Sequence, residues 1–278
     1  MSADADGRTA YVLGGGGLLG AVEVGMIRAL FEYDVQPDLI VGTSVGALNG
    51  LVVASDPTPD VVDRLLDMWR SVSDSNEVYS DATWRQVTRA MRTGTHLHSS
   101  KPLRERLEQE FGGLTFEQLA VPFQCCAASI ERAAETWFSE GPVVPAVVAS
   151  AAVPGLLPPA RVGDEHYLDG GIVNSIPVGR AVELGATRIF VLQVGRIDRP
   201  LTTPRKPWEV ARVSFEIARR HRFTREIAEL PDGVEAHVLP AGGTAKDDSP
   251  RAYRDTSQVA GRIEAAYDGS RAYLEEHL

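Results

Sequence analysis

Ser44 stands in the stretch VGTSVGALNG, with Gly42 two residues before it and Gly46 two residues after. This G-x-S-x-G spacing lets a strand turn sharply into a helix and hold a serine hydroxyl out at the tip. The context fits: the apolar run Leu39-Ile40-Val41 reads as a strand, and a helix is expected from about Val45 to Ala54. The helix N-terminus beside Ser44 adds positive potential where a nucleophile loses its proton. A plainer reading is that Gly42 and Gly46 only allow close helix–strand packing. If Ser44 is a nucleophile for acyl carbonyls, it needs a proton acceptor and N–H donors aimed at the oxyanion that forms.

The donors are expected in GGGGLLG, residues 14–20. A glycine run allows the loop conformation that points N–H groups at one atom, and a helix after it adds its dipole. Gly15, Gly17 and Gly20 also satisfy G-x-G-x-x-G, the dinucleotide fingerprint. That fingerprint needs an acidic residue at the end of the second strand to hold a ribose hydroxyl. Here the strand ends in Gly42-Thr43-Ser44, and the nearest acid, Asp38, lies before it. A dinucleotide-binding enzyme, using nicotinamide or flavin, is therefore the remote alternative.

Histidine is the usual acceptor, but His96, His98, His166, His221, His237 and His277 have no local context that resembles a catalytic loop. His96 and His98 share the polar stretch THLHSS, where solvent exposure is expected, and no acid or cysteine cluster accompanies them as metal ligands. Another candidate is Asp169, which ends a strand in HYLDGGIVNSIPV and is followed by Gly170 and Gly171. Taken alone, Asp-Gly is a frequent turn signal.

The elements that would position these groups can be read along the chain. Ala10 to Leu13 and Leu39 to Val41 are short buried strands, each leading through glycine into a helix, the first from Leu18 to about Tyr33. Strand–turn–helix twice in the first 55 residues points to a parallel α/β sheet. Further helices are expected over 59–71, in most of 81–111, over 142–152 and over 177–184. Strands are expected over 123–130, 136–138 and 188–194, with a hairpin around Gly163-Asp164.

The composition excludes several classes. The chain has 278 residues and a formal charge of −10, with a pI near 5.1, which argues against bulk nucleic-acid binding and general attraction to anionic membranes. The N-terminus lacks the pattern of a secretory signal, and no run suits a transmembrane helix. The adjacent Cys125 and Cys126 suit a reducing compartment, so a cytoplasmic location is expected. Residues 205–225 carry seven Lys or Arg against two Glu. The plain reading is a solvated helix face; the sharper one is a surface that meets lipid headgroups, a peripheral membrane contact.

Taken together and in this order, the glycine-rich loop, G-T-S-V-G and D-G-G resemble the patatin-like phospholipase family. SAAVPGLLPPA, residues 150–160, is similar to the segment those proteins place before the aspartate strand. The resemblance covers about residues 10–195, with 196–278 left as a mainly helical C-terminal extension packed on the same domain. It implies a three-layer α/β/α sandwich with a mostly parallel central sheet. It also implies a serine acyl hydrolase of lipid esters working by a Ser-Asp dyad, with no metal or organic cofactor. In that reading Asp169 takes the proton from Ser44, and Gly15, Gly16 and Gly17 match the oxyanion loop. Gly20, Gly42, Gly46, Gly170 and Gly171 complete the motifs. A regulatory or lipid-binding protein on the same fold is the second class. The chain departs from the family at Leu18 and Leu19, where many members carry a basic residue, and this bears on headgroup phosphate recognition rather than on hydrolysis. The dyad also has an energetic condition. A serine hydroxyl lies roughly nine pKa units above an aspartate, so full transfer is uphill by about 12 kcal/mol. Transfer must be concerted with attack, or Asp169 must sit in a dry site that raises its pKa.

Overall fold

A computed structural model of the chain describes residues 7–75, 96, 98–195, 197, 200–242 and 258–278. Its sheet has the order β5-β6-β3-β2-β1-β7-β8, with β4 also paired to β3. The strands are β1 (Thr9–Leu13), β2 (Leu39–Thr43), β3 (Phe123–Ser129), β4 (Ala134–Phe138), β5 (Ala160–Val162), β6 (Glu165–Asp169), β7 (Arg188–Leu192) and β8 (Glu235–Val238). Strands β3, β2, β1, β7 and β8 run parallel, as expected of the central sheet, while β4, β5 and β6 join antiparallel on one side. The sheet is therefore mixed, with helices on both faces.

The central strands are apolar runs because both of their faces are covered. Successive residues of β1 point to opposite sides. Tyr11 and Leu13 face a cluster that includes Met26, Ile27 and Leu30 of α1 (Val22–Glu32), Leu51 of α2 (Val45–Ser55) and Leu65 of α3 (Val61–Ser75). The helices α4 (Lys101–Phe111), α5 (Val143–Ser150) and α8 (Val259–His277) pack on this same side. Ala10 and Val12 face the other cluster, built with Val178 and Ala181 of α6 (Val178–Glu183) and Phe223 of α7 (Pro207–Ala228). Burying one such Leu or Ile side chain contributes about 1.5–3 kcal/mol.

Two features differ from the expected elements. The stretch expected as one helix from Leu18 begins instead with a 3-10 turn, Gly17–Ala21, and α1 starts at Val22. Gly17 has φ 58°, which a regular right-handed helix cannot contain. The helix expected over 81–111 falls partly outside the described residues, and α4 is its described end. Beyond residue 195, β8 extends the sheet as a parallel neighbour of β7, and α8 lies on α1. That crossing is close: a side chain at Gly25 would collide with the backbone of Ile263 and Tyr267.

Register places the functional edge. Leu13 of β1 is level with Gly42 of β2 and with Leu192 of β7, so three parallel strands end together. Strand β6 runs the opposite way, pairing Ala127 with Asp169, one residue beyond the Thr43–Cys126 pair. Asp169 is thus carried back toward the end of β2. Ligands of parallel α/β sheets bind at such carboxyl ends.

Candidate active site

Ser44 joins β2 to α2 with φ 57° and ψ −121°, a conformation in which a residue with a side chain is strained by about 1–3 kcal/mol. The flanking glycines let the turn close. A side chain at Gly46 would run into the backbone of Leu13 and Gly14, and one at Gly42 would meet Gly46 O at 2.5 Å. Ser44 N–H donates to Ser150 Oγ (3.0 Å), and Thr43 Oγ1 donates to Asn174 O (2.8 Å). The elbow is therefore tied to α5 and to the segment that follows Asp169.

The hydroxyl of Ser44 donates to Asp169 Oδ2 at 2.5 Å. Asp169 Oδ1 accepts the N–H of Gly171 at 2.7 Å, capping a 3-10 turn over Gly170–Ile172. Gly170 lies so close to the Cys126 carbonyl that only a hydrogen fits there. Ser44 and Asp169 are both buried. Burial raises the Asp169 pKa from its ordinary 3.8 to about 6, against the opposing Ser44 and Gly171 hydrogen bonds. The dry environment that the sequence argument required is present.

The glycine loop lies beside the elbow. Gly14 N–H donates to Leu192 O and Gly15 N–H to Ser175 O, both at 2.9 Å. The space where Gly15 lacks a side chain is 3.3 Å from Ser175 Oγ and 3.4 Å from Ser44 Cβ. Among the described residues, the N–H groups of Gly16 and Gly17 have no partner within the protein. Leu18 and Leu19 are buried in the core rather than turned to the site. Behind the loop, Glu23 is fully buried, and burial pushes its pKa well above the usual carboxylate range. Asn49 Nδ2 donates to Glu23 Oε2 (2.7 Å) and to Gly20 O (3.0 Å).

Several of the other candidates are engaged elsewhere. His166 pairs with Glu131 at 2.8 Å, His237 stacks on Phe190, and His277 Nδ1 lies 2.8 Å from Tyr273 O. His98, expected in solvent, is buried, and its N–H donates to Leu156 O. Asp38, before β2, accepts Thr9 N–H at 2.8 Å. Among the described residues no group of three His, Cys, Asp or Glu could hold a metal, and no helix is long and apolar enough to cross a membrane.

Sequence reasoning missed Ser150, Asn174 and Ser175, lone polar residues without a local signature. Arg219 was legible only as one cation of the basic run 205–225, not as a neighbour of the site. The run 205–225, read as a solvated or lipid-facing surface, makes up most of α7, and three of its arginines, Arg219, Arg220 and Arg222, are paired with glutamates. Arg220 reaches Glu216 (3.3 Å), and Arg222 reaches Glu226 (2.7 Å) and Glu135 (3.1 Å). Arg219 is buried against the site.

Comparison with known proteins matches residues 11–182 to a family described as patatin-like phospholipase. A lysophospholipase nte1 of Aspergillus terreus is 34% identical over 197 residues, covering 67% of this chain and 12% of that one. A putative patatin-like phospholipase domain-containing protein of Caenorhabditis elegans is 31% identical over 191 residues, covering 67% and 17%. The chain therefore spans only a small part of the length of these relatives. Among solved structures, VipD from Legionella pneumophila shares the fold, with a TM-score of 0.51 at 16% identity, over 98% of this chain and 67% of that one. By sequence the chain belongs to the patatin-like phospholipase family.

Proposed function

We propose that the chain is a carboxylic ester hydrolase of lipid acyl groups, working through a Ser44–Asp169 dyad and an acyl-enzyme. The observation that carries the reading is the Ser44 Oγ–Asp169 Oδ2 hydrogen bond at a strained elbow. Ser44 Oγ attacks the ester carbonyl as its proton passes to Asp169. Asp169 then gives that proton to the leaving alcohol. In the second half water attacks the acyl-enzyme, Asp169 takes its proton, and Ser44 recovers it as the fatty acid leaves. With a pKa of about 6, Asp169 makes the transfer about 3 kcal/mol less uphill than an ordinary aspartate would. It is still ionised near neutral pH, as a base must be.

The expected oxyanion donors narrow from Gly15, Gly16 and Gly17 to the last two, because Gly15 N–H is committed to Ser175 O. A lost donor in such a hole costs about 3–4 kcal/mol in barrier. Lipid as substrate is supported by the names of the relatives and by apolar surface beside the dyad. Phe215 of α7 packs on Gly171, next to Asp169, and both Phe215 and Ile172 are exposed. Val210 and Ile217 add exposed apolar surface to α7, which would rest on a lipid interface. Both cysteines are free and buried, which suits the cytoplasm. The test is turnover of a short-chain p-nitrophenyl ester by Ser44→Ala and Asp169→Asn, beside thermal melting. Both variants should fold and be inactive; near-normal turnover in either folded variant sinks the dyad.

A further inference from the structure

Arg219 belongs to α7, outside the segment that matches the family. Its side chain is 4% exposed, so its charge is held almost out of water. Such a cation is costly to bury unless its donors are used. Nε donates to Ser175 Oγ (3.2 Å), Nη2 donates to Val194 O (2.7 Å), and Nη1 faces Glu216 Oε2 (3.4 Å). The first two partners are the residues on which the glycine loop is seated. Ser175 also accepts the N–H of Gly15 through its carbonyl. The Val194 side chain fills the space where Gly16 lacks a Cβ. One rigid guanidinium thus fixes two separate segments that meet the loop on either side. Arg219 is also among the charges that oppose the burial effect on Glu23, behind the loop, while the Asp169 pKa is set by burial, Ser44 and Gly171.

We propose that Arg219 is a positioning residue for the oxyanion loop, clamping Ser175 and Val194 so that the N–H groups of Gly16 and Gly17 keep one orientation. This rests on the acyl-hydrolase reading. The planar fork is what allows both bonds at once, and lysine cannot reproduce it. Displacing a catalytic group by about 1 Å costs on the order of a hundredfold in rate.

The experiment compares the parent chain with Arg219→Lys, Arg219→Gln and Ser175→Ala on a soluble p-nitrophenyl ester, with melting temperatures and the rate of Ser44 labelling by a fluorophosphonate. In folded Arg219 variants kcat and the labelling rate should fall about tenfold to a hundredfold, with KM within about twofold. Ethylguanidine added to Arg219→Gln should restore part of the loss. Folded Arg219 variants with parental kcat and labelling would overturn the proposal. If neither Arg219 variant folds, Ser175→Ala decides: it removes the Nε acceptor and leaves the Gly15 bond to the Ser175 carbonyl. A severalfold drop in labelling rate at unchanged melting temperature supports the clamp, and parental labelling refutes it. Failure of the acyl-hydrolase reading is seen separately, as a parent chain that turns over no ester and whose Ser44 is not labelled.

Discussion

Replacing Asp169 by Asn should abolish turnover and, at neutral pH, make the protein more stable. The carboxyl is buried and its pKa is raised from 3.8 to about 6. Between those values the folded chain holds more protons than the unfolded chain, so stability falls as pH rises through this window. Below the lower value the group has no effect on stability, because it is protonated in both states. Above about pH 6 the folded state carries a penalty of about 3 kcal/mol. Asn keeps the shape and the contacts: Oδ1 accepts from Gly171, and the amide donates to Ser44 Oγ. The variant should therefore exceed the parent by up to about 3 kcal/mol near pH 8 and match it near pH 3, shown by urea unfolding across that range. In the parent, kcat/KM should fall about tenfold per pH unit below about pH 6, as the same carboxyl is protonated. A stability difference that does not change with pH, or a variant less stable than the parent near pH 8, would refute the account of Asp169 as a buried base with a raised pKa.

Gly46→Ala should destabilise the fold by about 3 kcal/mol or more, because its methyl group meets the Leu13 and Gly14 backbone; urea unfolding measures it. EDTA should leave ester turnover unchanged, and loss of activity restored by a divalent ion would show a metal-dependent reaction. Val210→Ser with Ile217→Ser should lower activity on phospholipid vesicles severalfold while leaving soluble-ester turnover unchanged, since both side chains lie exposed on α7. Equal activity on both substrates would make α7 only a part of the fold.

The central strands β1, β2 and β7 were legible because each is a short apolar run that is buried on both faces. Ser44 was legible because its elbow needs glycines at fixed offsets, and the structure shows the backbone contacts that require Gly42 and Gly46. Strand β8 carries a glutamate and a histidine among four residues and lies at the sheet edge, so it lacks the apolar signal of its neighbours. The pairing of the basic run was only partly legible: Glu216 and Glu226 stand one helical turn from Arg220 and Arg222, but Glu135 lies far before the helix and can be matched with Arg222 only in three dimensions. Arg219 and Arg220 look alike in sequence, yet only Arg219 faces the glycine loop, since adjacent residues on a helix point about 100° apart.

The tight crossing of α1 and α8 limits how the matched segment can be recombined. The family match ends at residue 182, but Gly14 hangs from the Leu192 carbonyl, and Gly25 leaves room only for the backbone of the last helix. A graft that moves the matched segment alone carries Ser44 and the glycine loop without the strand from which that loop hangs. A crossover between relatives in this region keeps the packing only where the incoming C-terminal half brings a helix that fits against Gly25. The two halves therefore stand or fall as one folding block.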